Sequence, residues 1–218
     1  MKVIECINGS RGHYSNLNHL ASEKTNRVNN ACYPFTHITD GNLLLNLMHN
    51  KPEMKVIIGI RDLRDVVISS THFFRRKISN STEVDATFDE KLLSVINFTG
   101  LSDFYGPTTI ALQASNVIKE SNPFIIRFED LIGEKGGGDR QKQIETIYKL
   151  AQYIEEEISY EQAEKIGDNL FGSSSTFRKG QIDQWKSIFN QDHIEAFKNS
   201  PMNPLLVEWG YENTPDWE

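Results

Sequence analysis

Two short apolar runs, Lys55-Val56-Ile57-Ile58-Gly59-Ile60 and Pro123-Phe124-Ile125-Ile126-Arg127-Phe128, constrain the fold of this chain more than any other feature. Each is short for a helix and too continuously apolar for a strand with one wet face. β-Branched side chains dominate them and polar turns bound them, which predicts strands buried on both faces of a parallel sheet. A third run, residues 2–7, has the same character and is expected to open the sheet. Amphipathic stretches lie between. Leu43, Leu44, Leu47 and Met48 share one helical face behind Asp40-Gly41. Thr87 with Glu90 predicts a capping box for a helix through Asn97. Asp139 predicts the cap of a helix whose apolar face is Ile144, Ile147, Leu150, Ala151 and Ile154. Parallel strands require crossover helices, so the alternation predicts an α/β fold: a doubly wound parallel sheet flanked by helices. Gly136-Gly137-Gly138 reads as a loop inside that alternation, and residues 1–218 read as a single domain.

Charge narrows the partners. The formal net charge is −7 and the isoelectric point is near 5.4. Nucleic-acid binders are more often basic, so a polyanionic ligand has to be gripped by a focused local patch. No apolar run approaches the ~18 residues of a membrane span, and no secretory leader is expected. Cys6 and Cys32 lack the spacing of a zinc site or a disulfide framework, and no metal is expected. The expectation is a cytoplasmic protein with no nucleic-acid partner and no membrane partner.

One basic patch stands out. Arg178 and Lys179 precede Gly180, follow the run Ser173-Ser174-Ser175-Thr176, and are closed by Trp185-Lys186. Two cations before a glycine let a loop fold closely around a phosphate, because glycine permits backbone approach and offers an unhindered N–H. A second candidate is Arg61, at the carboxyl end of the strand 55–60, with Ser69 further along the helix that follows. Ligands of open α/β sheets bind at the carboxyl ends of strands. The plainer reading of Arg61 is a surface ion pair with Asp65 at the start of a helix. No G-x-x-x-x-G-K-[ST] string occurs, which argues against a P-loop kinase.

Arg61 and Ser69, then Phe128-Glu129-Asp130 after a strand, then Arg178-Lys179-Gly180 before Trp185-Lys186, resemble in this order the PAPS-dependent sulfotransferases, compact bacterial-type members above all. These enzymes use 3′-phosphoadenosine-5′-phosphosulfate (PAPS) as sulfuryl donor and leave PAP. The resemblance runs from about Tyr33 to Tyr211 and implies a P-loop-NTPase-like fold. It implies that Arg61, Ser69, Arg178, Lys179 and Gly180 hold the 3′-phosphate, with Phe128 among the cofactor contacts in place of a frequent Tyr. It also implies that His37 is the general base. The family carries Lys-Thr-His here, and this chain reads Phe35-Thr36-His37. An imidazole, with an ordinary pKa near 6.5, suits deprotonation of an acceptor hydroxyl around neutrality.

The family's first motif, a strand followed by Pro-Lys-Ser-Gly-Thr around the 5′-phosphosulfate, is altered. Here the run 2–7 leads into Asn8-Gly9-Ser10-Arg11-Gly12-His13-Tyr14-Ser15. We read this as a remodelled loop in which Ser10, Arg11 and Gly12 contact the phosphosulfate and Arg11 supplies the cation. The alternative is an ordinary strand–turn–helix. The resulting expectation is sulfuryl transfer from PAPS to a hydroxyl or amine of a small acceptor. The alternative is a non-catalytic PAPS- or PAP-binding module with a degenerate loop. The insert 79–86 and the segment 100–107, with Phe104 and Tyr105, are candidate walls of the acceptor pocket.

Overall fold

The computed structural model describes residues 2–8, 11–14, 32–35, 37–78, 86–97, 100–101, 104–172 and 179–218. In chain order its elements are α1 (Lys2–Asn8), β1 (Arg11–Tyr14), β2 (Cys32–Phe35), α2 (Gly41–Asn50), β3 (Ile57–Ile60), α3 (Leu63–Ile78), α4 (Phe88–Asn97), β4 (Gly100–Leu101), β5 (Phe104–Tyr105) and α5 (Pro107–Ser121). There follow β6 (Phe124–Arg127), α6 (Phe128–Ile132), a 3-10 turn (Glu134–Gly136), α7 (Arg140–Tyr153), α8 (Tyr160–Asp168), α9 (Trp185–Ile188), α10 (Gln191–Lys198) and α11 (Asn203–Glu208). The chain divides into two compact units, Met1–Ile60 with Val117–Ile182 and Arg61–Asn116 with Asp183–Glu218.

The first unit contains both runs that most constrain the fold. They form β3 and β6 and pair in parallel, Ile57 opposite Phe124 and Ile60 opposite Arg127. Tyr153 pins the entrance of this pair. Its hydroxyl donates to the Val56 carbonyl and accepts from the Val56 N–H, each at 3.1 Å, and its ring stacks on Phe124. Ile144, Ile147 and Leu150 of α7 are buried against Ile126 of β6, as their helical spacing predicts. Asp139 caps α7 by accepting from the Lys142 N–H at 2.7 Å.

Residues 2–7 depart from expectation. They form α1, not a strand. Val3 and Ile4 are buried with the α7 and α8 side chains, and Ile7 packs beside them. Positions 3, 4 and 7 fall on one helical face, and a short β-branched run is compatible with either period. Packing on α7 and α8 decides between them, overriding β-propensity. The expected turn is displaced as well: Arg11–Tyr14 is a strand, parallel to Cys32–Phe35.

In the second unit, α4 carries the expected capping box. The Thr87 N–H donates to Glu90 at 2.7 Å, and the Glu90 N–H donates to the Thr87 hydroxyl at 3.2 Å. The Thr87 N–H, and then the Thr87 hydroxyl donating to the same carboxyl at 3.0 Å, hold the Glu90 carboxyl below its ordinary range. The Glu90 contribution to stability is therefore present above the ordinary carboxylate range and fades as pH falls through it. α10 packs on α4, and its fully buried His193 accepts from the Asn190 N–H at 3.1 Å. Among the described residues no helix is long and apolar enough to cross a membrane.

Candidate active site

β3 ends at Ile60 and α3 begins at Leu63, so Arg61 sits at the carboxyl end of a parallel strand. The plainer reading of Arg61 holds in one respect: its Nη2 donates to Asp65 Oδ2 at 3.1 Å. It fails in another, because this is not a surface pair. The Asp65 side chain is wholly buried and that of Arg61 is 18% exposed. Burial pushes the Asp65 carboxyl above its ordinary range, while the Arg61 charge and the Trp185 N–H pull it back. The Trp185 N–H donates to Asp65 Oδ1 at 3.0 Å. Asp65 is thus a fixed seat for the guanidinium. Ser69 follows Asp65 by four residues on α3, about one turn on, and is exposed.

The string Asp62-Leu63-Arg64 beside it is a structural knot that spacing alone did not disclose. Arg64 is 2% exposed. It donates to Asp62 through Nε at 3.0 Å and Nη2 at 2.7 Å, and through Nη1 to Glu212 at 2.6 Å. Its guanidinium carbon lies 3.7 Å from the Trp185 ring centroid and 4.5 Å from that of Trp217. The sequence signal was the charge alternation Arg61-Asp62-Leu63-Arg64-Asp65; its two Trp partners are remote in the chain.

In the first unit, Phe128 opens α6 directly after β6, half-buried, so the expected strand-then-Phe-Glu-Asp arrangement is present. His37 is exposed, between β2 and the Asp40-capped α2. Arg11 and Gly12 lie in the β1 ladder opposite Cys32 and Tyr33. The reading of 8–15 as a glycine turn between a strand and a helix is therefore corrected: α1 precedes, and 11–14 is extended. Ser10, Thr36 and Arg178 lie outside the described residues, as does most of the insert 79–86.

Lys179 is exposed, and Gly180 has φ +60°, a left-handed conformation that favours glycine. Asp183 is also left-handed, at φ +58°; Asp tolerates it better than most residues. The loop read only as Gly136-Gly137-Gly138 supports this segment. The Ile182 N–H donates to the Gly136 carbonyl at 3.0 Å, and Gln181 Nε2 donates to the Lys135 carbonyl at 2.9 Å. A Cβ at Gly136 would lie 2.5 Å from the Gly180 carbonyl oxygen and closer still to Ile132. Gly136→Ala is therefore expected to displace the Lys179-Gly180 segment and to cost about 1–3 kcal/mol by overpacking. Denaturant unfolding with calorimetry of PAP binding measures both effects. Among the described residues, no group of three His, Cys, Asp or Glu side chains is arranged to hold a metal ion.

Residues 2–201 match the sulfotransferase domain family. No curated protein sequence matches the chain. Among solved structures, the crystal structure of mouse sulfotransferase SULT7A1 complexed with PAP superposes with a TM-score of 0.64 at 16% identity, covering 95% of this chain and 82% of that one. At that identity the likeness shows the fold, a P-loop-like α/β arrangement of parallel strands and helices. The family match spans both compact units, and the chain belongs to the sulfotransferase domain family, the PAPS-dependent sulfotransferases.

Proposed function

We propose that the chain moves the sulfuryl group of PAPS to a hydroxyl or amine of a small acceptor, in the cytoplasm and without a metal, with His37 as general base. The observation that carries the reading is the strand-to-helix junction, where Arg61 leaves β3 with its guanidinium seated on buried Asp65. The neighbouring mouse sulfotransferase, solved with PAP, supports the choice of nucleotide. Arg61 and Ser69 belong to one unit, Lys179 and Gly180 to the other; the family resemblance assigns all four, with Arg178, to one 3′-phosphate. We also propose that the two units act as one domain, since the chain passes between them three times and neither is a continuous segment.

The donor set suits its ligand. A 3′-phosphate carries nearly two negative charges, and Arg61, Arg178 and Lys179 offer three positive ones. Charge-assisted hydrogen bonds contribute roughly 1.5–3 kcal/mol each. Arg61→Ala is expected to weaken PAP binding by about 10- to 100-fold. Calorimetry on the folded variant checks it, and unchanged affinity would remove Arg61 from the site. In the reaction, the acceptor oxygen attacks sulfur in line as His37 takes its proton. The S–O bond to the 5′-phosphate breaks, and PAP leaves. By analogy with phosphoryl transfer, positioning and nearby positive charge supply most of the acceleration.

A second reading, a PAPS- or PAP-binding module without transfer, draws on one observation: residues 2–8 are a helix and 11–14 a strand where the family wraps the 5′-phosphosulfate. Thermal shifts with PAP, PAPS and ATP·Mg²⁺ identify the ligand. PAPS turnover that depends on His37 or Arg11 then separates an enzyme from a binder.

A further inference from the structure

We propose that Trp217 is a positioning residue, which fixes Arg61 for the nucleotide's 3′-phosphate through a buried relay. The inference rests on the assignment of Arg61 to that phosphate.

Each link of the relay is a close contact within one compact unit. The Trp217 ring meets the Trp185 ring edge-on, with centroids 5.3 Å apart. The Trp185 backbone N–H holds Asp65 Oδ1 at 3.0 Å, and Asp65 Oδ2 holds Arg61 at 3.1 Å. The two indoles together enclose the Arg64 guanidinium. Trp217 is itself anchored. It is 4% exposed, its Nε1 donates to Asn203 Oδ1 at 2.7 Å, and Asn203 Nδ2 donates to the Pro215 carbonyl at 3.2 Å. Phe197 packs on its other side at 5.9 Å. The backbone of the same segment is tied down by the Tyr211 and Glu212 N–H groups, which donate to the Leu206 carbonyl at 2.7 and 3.1 Å.

This arrangement matters because Arg61 has a long flexible side chain. Its ability to meet a phosphate depends on Asp65 staying in place, and Asp65 depends on the Trp185 N–H. Trp185 lies at the end of the motif that begins with Arg178, in a short helix with no side-chain cap. Packing against Trp217 and Arg64 supplies the restraint that a cap would otherwise give. Small displacements of a positioned ligand group have large effects on function.

The test compares PAP with adenosine 5′-phosphate, which lacks the 3′-phosphate, by calorimetry on the full chain. Trp217→Ala is expected to weaken PAP about tenfold and to leave adenosine 5′-phosphate unchanged, shifting the ratio of the two affinities. Trp217→Phe keeps a ring on Trp185 and is expected to hold PAP affinity nearer the parent. The double variant Arg61→Ala/Trp217→Ala should bind PAP no more weakly than Arg61→Ala alone. Equal weakening of both nucleotides, or no effect on either, overturns the inference. Should Trp217→Ala not fold, the same affinity ratio is read in Trp217→Leu. If Arg61→Ala leaves PAP affinity unchanged, the assignment of Arg61 itself has failed, a result distinct from an inert Trp217.

Discussion

The His37→Ala variant is expected to bind PAP as the parent does and to lose about 10²–10⁴-fold in turnover, the range that a positioned general base supplies. His37 is exposed on the segment between β2 and α2, and Asp40 caps α2 by accepting from the Leu43 N–H at 2.9 Å. His37 is thus carried just ahead of a well-capped helix. Alanine there removes no buried side chain, and the loss should fall on kcat. A proton acceptor at His37 predicts that the loss in turnover exceeds any change in PAP affinity, which single-turnover kinetics beside calorimetry would read. Retained turnover would move the base to His13 or His72. Of these, His72 packs against the Phe88 ring at 4.8 Å and is half-buried.

The Arg64→Met variant is expected to lose about 3–5 kcal/mol of stability, the penalty for breaking a buried ion pair and leaving charge uncompensated. Arg64 is 2% exposed and Asp62 6% exposed, so solvent cannot replace the lost guanidinium. Asp62 would keep a buried carboxylate with its principal cation gone, and Glu212 would lose a 2.6 Å partner. Two indole faces would also lose the cation between them. In a domain of this size each kcal/mol moves Tm by about 2–4 °C, so a fall of roughly 6–20 °C is expected in a thermal melt. Arg64→Lys should recover part of it. The ammonium keeps the charge but lacks the planar fork that meets Asp62 at two atoms while stacking on Trp185. A melt unchanged in Arg64→Met would show that the network is not structural.

Residue pattern foretold much of the framework for specific reasons. β3 and β6 were legible as a parallel pair because a continuous β-branched run bounded by turns suits such strands; burial on both faces was not borne out, since Gly59 and Ile125 are exposed. The Thr87–Glu90 box and the Asp139 cap were legible because a cap is settled by residues within one turn. The face of α7 was legible because its buried positions repeat at the helical period. Residues 2–7 were misread because a short apolar run rich in β-branched residues fits a buried strand or a helix, and only the neighbours α7 and α8 choose between them. Gly136 passed as an ordinary loop glycine, since its role is to leave room for the Gly180 carbonyl far along the chain.

The same division runs through the candidate site. By itself the sequence determined which candidate groups are present: Arg61 after a strand, cations before Gly180, and His37 in a Thr-His pair, all local facts of residue type and order. Only the tertiary structure decided how Arg61 is held. Its seat on Asp65, the Trp185 N–H behind Asp65 and the Trp217 ring behind Trp185 are joined across the chain by burial. Close packing and low local polarity give such contacts their strength, and neither is a property of any residue alone.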